Sequence, residues 1–114
     1  MSNKITARKE ERILRDLTLI LNRELDNPYL NAVTISEVRL SRDNSQAKIF
    51  FSFIPFQEKL TRTQVERAIR DNHKTIRPLL ARRLEMRNVP ELVFEYDTVL
   101  QKANRIEAIL KNNK

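Results

Sequence analysis

The chain contains no glycine, no cysteine and no tryptophan, and one histidine, His73, in 114 residues. The missing cysteine removes disulfides and thiolate metal sites. The missing glycine removes the Walker and Rossmann phosphate loops, whose backbone can approach a phosphate only where no side chain intervenes. A lone histidine cannot build a metal site, and with one histidine, no cysteine and no glycine the usual catalytic and metal constellations cannot be assembled. No acidic cluster suggests a carboxylate-only site, and we assign no catalytic residue, metal or cofactor. Asp43 and Asp97 sit in a turn and at a strand end without a partner motif. No apolar run approaches the ~18 residues of a membrane span, and no basic stretch followed by an apolar run lies near Met1. These features fit a soluble cytoplasmic protein with no membrane contact.

Charge is what the chain has in excess. The formal net charge is +7, and it is concentrated. Between Arg62 and Arg87 eight basic residues face three acidic ones, a local excess of +5. Such a field attracts polyphosphate partners. The length suits one domain, residues 1–114, with one modest core.

Residues 7–25 place Ile13, Leu14, Leu17, Ile20, Leu21 and Leu25 at helical spacing, with Thr6 as the expected N-cap and Asp26-Asn27-Pro28 as the stop. Val33–Leu40 reads as a strand whose apolar phase shifts between Ile35 and Val38, so a bulge is expected near Glu37. A polar turn over 41–45 leads into a second strand through Ala47, Ile49, Phe51 and Phe53, giving an antiparallel hairpin with Phe50 on its less buried face. Residues 54–60 read as a connection.

Thr63 is the expected cap of a helix burying Val65, Ala68 and Ile69, with a break near Asp71-Asn72-His73. A second helix capped by Thr75 would put Pro78 in its first turn, where proline is tolerated. Its inward residues are Ile76, Leu79, Leu80 and Leu84. Asn88-Val89-Pro90 ends it, and Leu92, Phe94 and Tyr96 form the apolar face of a last strand. A short helix is expected over 99–110. The ordered core should span roughly 7–98.

This order, α-β-β-α-kink-α-β, resembles a type II KH domain, an α+β RNA-binding fold. Particular motifs resemble the bacterial ribosome-binding factor A family. They are Arg23-Glu24-Leu25 with Pro28, Val33-Thr34-Ile35 with Val38, and Ser41-Arg42-Asp43 with Ala47-Lys48. The longest runs from Ile76-Arg77 and Leu79-Leu80 to Arg87-Asn88-Val89-Pro90-Glu91-Leu92-Val93-Phe94 and Asp97. Together they cover roughly residues 8–110. Where the family has a glycine kink, this chain reads Asn72-His73-Lys74, and Asn72 is the residue best able to take a left-handed conformation. Asn27 stands where the family has aspartate, and Arg83 where it often has a small residue. The charged tail of some members is nearly missing.

The resemblance implies a non-enzymatic assembly factor. It would bind the immature small ribosomal subunit and 16S rRNA near the 5′ region and decoding area, assist late maturation and rRNA processing, notably in the cold, and be monomeric when free. Members lack the GxxG loop of KH domains, so RNA contact would not use that clamp.

The candidate RNA-binding residues are Arg67, Arg70, Lys74, Arg77, Arg82 and Arg87, with Arg8, Lys9 and Arg12 as an extension. Charge alone leaves RNA contact and a solvated helix face evenly matched; the resemblance favours contact through phosphates. Arg83 and Arg87 fall towards the apolar side of the helix, where a structural role competes. Arg8, Lys9 and Arg12 could instead pair with Glu10, Glu11 and Asp16. Phe51, Phe53, Phe94 and Tyr96 alternate as core residues rather than as a base-stacking platform. The runner-up function is a general RNA- or DNA-binding module; an rRNA-processing nuclease is a third class.

Overall fold

The computed structural model describes residues 4–54, 60–85 and 88–98. The expected terminal helix over 99–110 lies outside them, as do Arg87 and most of the 54–60 connection.

Helix α1 (Lys4–Leu19) buries Ile13 and Leu17. It already includes Lys4, so Thr6 lies within its first turns and is not the N-cap; neither Lys4 nor Ile5 stops a helix. The expected helix to Leu25 is not uniform. Ile20–Glu24 form a π-helical turn, closed by Leu25 N–H donating to the Ile20 carbonyl at 3.2 Å. The wider turn keeps both Ile20 and Leu21 fully buried. Asn31 seals its open end, its Nδ2 donating to the carbonyls of Leu21 and Leu25, each at 2.8 Å.

Asn27-Pro28 is a start as well as a stop. Asn27 caps a four-residue helix α2 (Pro28–Asn31), with Pro28 at its first position.

Strands β1 (Val33–Leu40) and β2 (Gln46–Phe53) pair antiparallel, and the register slips between Ile35 and Glu37. The expected bulge is there. Asn44, at φ 61°, takes the left-handed position of the connecting turn. Asp43 organises that turn, accepting from Ser41 Oγ at 2.8 Å, Ser45 Oγ at 2.7 Å and Ser45 N–H at 3.1 Å.

Helix α3 (Arg62–Asp71) is capped by Thr61, not Thr63. The reason is reciprocity. Gln64 lies three residues beyond Thr61, so Thr61 Oγ1 accepts from Gln64 N–H while Gln64 Oε1 accepts from Thr61 N–H, a capping box.

One residue, Asn72, separates α3 from α4 (His73–Leu84). Its N–H donates to the Ala68 carbonyl, and its own carbonyl accepts from Thr75 and Ile76 N–H at 3.0 and 2.9 Å. Because α4 starts at His73 and not after Thr75, Pro78 lies in its second turn. The proline leaves the Lys74 carbonyl without its usual helical donor. Asn72 has φ −103° and ψ 6°, a bridge-region conformation open to ordinary residues. The left-handed backbone expected there is not used. Its side chain acts instead, Nδ2 donating to the Ala68 carbonyl at 2.8 Å. The left-handed residue of this region is Glu85, at φ 53°, which terminates α4.

Strand β3 (Glu91–Tyr96) pairs parallel with β2, giving the order β1-β2-β3. A single core joins Ile13, Leu17 and Ile20 of the first helical segment to Ala47, Ile49 and Phe51 of β2 and to Val65, Ile69, Ile76 and Leu80 of the helix pair. Phe51 packs edge-to-face on Phe94 and Tyr96, at 6.3 and 5.8 Å between centroids. The aromatic alternation is therefore packing, as expected. On the opposite sheet face the Arg39 guanidinium covers the half-buried Phe50 at 5.3 Å.

Two expectations follow. Asn72→Gly loses a hydrogen bond and adds unfolded-state entropy, so it lowers unfolding free energy by about 1 kcal/mol; Glu85→Gly relieves a left-handed residue and raises it by about as much. Urea titration of both variants checks this; an opposite order would refute the junction geometry. For the Asp43 carboxyl, hydrogen bonds from Ser45 and then Ser41 lower the pKa from 3.8 to about 2. A depressed folded-state value means that the support is complete above the unfolded value and lost as pH falls from 3.8 towards about 2. An NMR carboxyl titration should show the low midpoint, with Ser45→Ala moving it back further than Ser41→Ala.

Candidate nucleic-acid interface

The nine candidate cations separate by what holds them. Arg67 and Arg70 are exposed on α3, three residues apart and so on neighbouring positions of one face. Lys74 is exposed at the second position of α4, whose first turn contains no acidic residue. There the positive end of the helix dipole adds to its charge. Among the described residues none pairs with these three side chains. They lie on the two helices that meet at Asn72, an open basic edge interrupted by the exposed Asp71.

Helix α3 stands as a ridge between two grooves of ≈ 300 Å³ each. Arg70 borders the first, with His73, Phe94 and Glu66. His73 is tied into that wall, its Nε2 lying 3.3 Å from the Leu92 carbonyl. Arg67 borders the second, against α2.

Arg77 does not belong to this open edge. It is half-buried, and its Nη2 donates to the Val89 carbonyl at 2.9 Å. Its Nε is buried and has no partner among the described residues. The side chain straps the 88–90 turn to α4, so its first duty is structural. Arg82 is exposed near the far end of α4, roughly 12 Å along the axis from Lys74 at 1.5 Å per residue.

Arg8, Lys9 and Arg12 lie on α1. Lys9 and Arg12 border a ≈ 200 Å³ cavity with Leu84 and Pro90, at the end of α4 remote from Lys74. They do not extend the junction edge. Arg8 and Lys9 are exposed, whereas Arg12 is engaged, with Nε 3.9 Å from Asp16 Oδ2 and its Nη2 donating to the Arg83 carbonyl at 3.2 Å.

Arg83 has the structural role that its wheel position suggested. It forms an ion pair with Glu24, Nε donating to Oε1 at 2.8 Å, and its Nη1 lies 3.8 Å from Asp16 Oδ1. Among the described residues Asp16 is the one buried charged residue, at 8% exposure. This cluster of Arg12, Asp16, Arg83 and Glu24 ties α1 and the π turn to the end of α4. The Arg12–Asp16 pairing is the alternative that the sequence offered for Arg12; Glu24 was not assigned a partner there. The burial of Asp16 has a signal in the sequence, an acid three residues after Ile13 and four before Ile20, on the apolar stripe.

Among the described residues, no three His, Cys, Asp or Glu side chains are grouped to hold a metal ion. Nor is any described helix long and apolar enough to cross a membrane.

The family model for ribosome-binding factor A matches residues 5–110. The chain belongs to the ribosome-binding factor A family. Ribosome-binding factor A of Phytoplasma mali is 37% identical over 100 residues, covering 87% of each chain. That of Vibrio campbellii is 34% identical over 105 residues, 92% of this chain and 77% of its own. The crystal structure of ribosome-binding factor A from Thermus thermophilus superposes with a TM-score of 0.67 at 30% identity, covering 80% of this chain and 94% of that one. A second Thermus thermophilus structure is a homology model fitted into a cryo-EM map of a 30S–RbfA complex. It gives a TM-score of 0.62 at 26% identity over 83% of this chain and 93% of that one. The chain has the KH-like α+β fold of this family.

The division between engaged and open cations is measurable. Arg83→Ala removes the Glu24 ion pair and one of the two cations beside Asp16 and should cost about 1 to 2 kcal/mol of stability, whereas Arg67→Ala should change it by less than about 0.5 kcal/mol. Parallel denaturation curves decide; similar losses in both variants would refute the division.

Proposed function

We propose that this chain binds the immature small ribosomal subunit through the basic edge formed by Arg67, Arg70 and Lys74. On this reading it contacts 16S rRNA and assists late subunit maturation and rRNA processing in the cytoplasm, including during growth in the cold. It acts as a monomer and without catalysis. The supporting observation is that three neighbouring cations around one helix junction are exposed and unpaired among the described residues, while Arg77, Arg83 and Arg12 are held by the fold. The Thermus thermophilus relative fitted into a 30S complex makes the small subunit the target to which this surface is assigned.

The physical mode is phosphate neutralisation. Cations without internal partners lose no ion pair on binding, and they release counterions from the RNA. The 5′ region and decoding area are the rRNA segments implied by family resemblance. Arg82, Arg8 and Lys9 are secondary candidates on separate parts of the surface; Arg87 stays a candidate from sequence alone.

A general RNA- or DNA-binding module would use the same edge. Co-sedimentation with small and large subunits across a salt series separates the two readings. Preferential small-subunit binding is expected, and each of Arg67→Ala, Arg70→Ala and Lys74→Ala should reduce the slope of log affinity against log salt by about 1 or slightly less. Equal binding to both subunits and to unrelated RNA would favour the general module. Selective binding with an unchanged slope would move the contact elsewhere on the protein.

A further inference from the structure

The groove between α2 and α3 differs from the basic edge beside it. Asn27, Tyr29, Gln64, Arg67, Asp71 and Asn72 line it. Three are carboxamides, and each has one end fixed by the backbone. Asn27 Oδ1 accepts from the N–H groups of Tyr29 and Leu30 at 3.0 and 3.3 Å. Gln64 Oε1 accepts from Thr61 N–H at 3.0 Å. Asn72 Nδ2 donates to the Ala68 carbonyl at 2.8 Å.

These bonds set the orientation of the other ends. Asn27 and Gln64 are left with NH2 donors, and Asn72 with a carbonyl acceptor. None of the three free ends has a partner among the described residues, and none is a buried orphan. The exposed Asp71 carboxylate adds two more acceptor atoms, likewise unpaired among the described residues. The groove therefore carries preset donors, preset acceptors, an aromatic residue and one cation.

We propose that this groove binds a single unpaired guanine base of RNA. The inference rests on the RNA-binding reading above and adds base recognition to it. A bare phosphate is a poor occupant, because the Asp71 carboxylate repels it. A base carries no charge and matches the polarity. Guanine is the one RNA base with two adjacent donors, N1–H and the exocyclic amino group, on its pairing edge, which suits a carboxylate with two acceptor oxygens. Its O6 and N7 acceptors suit the amide donors. Tyr29 supplies aromatic surface and Arg67 reaches the flanking phosphate, the combination by which single-stranded RNA is read.

The test is fluorescence anisotropy with oligouridine heptamers whose central base is guanine, inosine, adenine, cytosine or uracil. The guanine heptamer should bind about tenfold more tightly than the uracil one, and inosine, which lacks the amino group, should lose most of that advantage. Gln64→Glu keeps an acceptor at the third position of the capping box while removing the donor. Asp71→Ala alters an exposed residue. Both should abolish the guanine-to-uracil ratio, which is the readout, since either change shifts absolute affinity through charge. Equal binding of all heptamers, or no binding of any, with small-subunit selectivity intact overturns the guanine site and leaves the subunit reading standing. A guanine preference that survives both substitutions also overturns the site. Loss of small-subunit selectivity in the unaltered protein overturns the subunit reading itself.

Discussion

The structure depends on how two helices share one residue. Asn72 ends α3 with its N–H and begins α4 with its carbonyl, so neither helix keeps an independent terminus there. Ile69 before the junction and Ile76 after it enter the same core. Arg67, Arg70 and Lys74 lie exposed on the two helices that the junction joins. The packing that buries the apolar residues thus sets the spacing of the charges, and no separate loop is needed to present them.

Local chemistry made much of this legible. Helical spacing identified the buried face of α1, alternation identified the strands, and the change of phase between Ile35 and Val38 gave the bulge. Errors arose where two local signals competed. Thr63 and Thr61 are both plausible caps, and the choice falls to Thr61 because only Thr61 has Gln64 three residues on. Pro78 favoured a later start for α4, yet the Asn72 carbonyl captures Thr75 and Ile76 first, and the helix accommodates the proline in its second turn. The Asn72 side chain was expected to permit an unusual backbone; it stabilises an ordinary one. For the site, composition located the basic segment but could not sort its members. Arg77 looks like Arg67 in the sequence, and the wheel position of Arg83 suggested a structural role without naming its partners. Only partners as remote as Val89 and Glu24 show that they are engaged.

Without glycine, the positive-φ positions among the described residues fall to Asn44 and Glu85. Both lie at the ends of elements, where a left-handed residue closes a turn or a helix. The remaining bends use conformations that bulky residues accept. The cations show a parallel division of labour. Those near the α1–α4 contact stabilise the fold against a buried acid, and those around the junction remain open to a polyanion. A change in one set therefore acts on stability, and a change in the other leaves it nearly untouched.

The parallel pairing of β3 with β2 orders events in time. Gln46 faces Glu91 in the register, so this contact requires the whole intervening helix pair to be in place, whereas the β1–β2 hairpin closes across a short turn. Non-local closure loses more chain entropy and is slower. The hairpin and α1 can assemble early, and β3 completes the sheet last, drawing the 88–90 turn under Arg77. A chain still emerging during synthesis lacks this strand, and its basic edge is not yet fixed. Completion of the fold is thereby coupled to the arrival of the final strand.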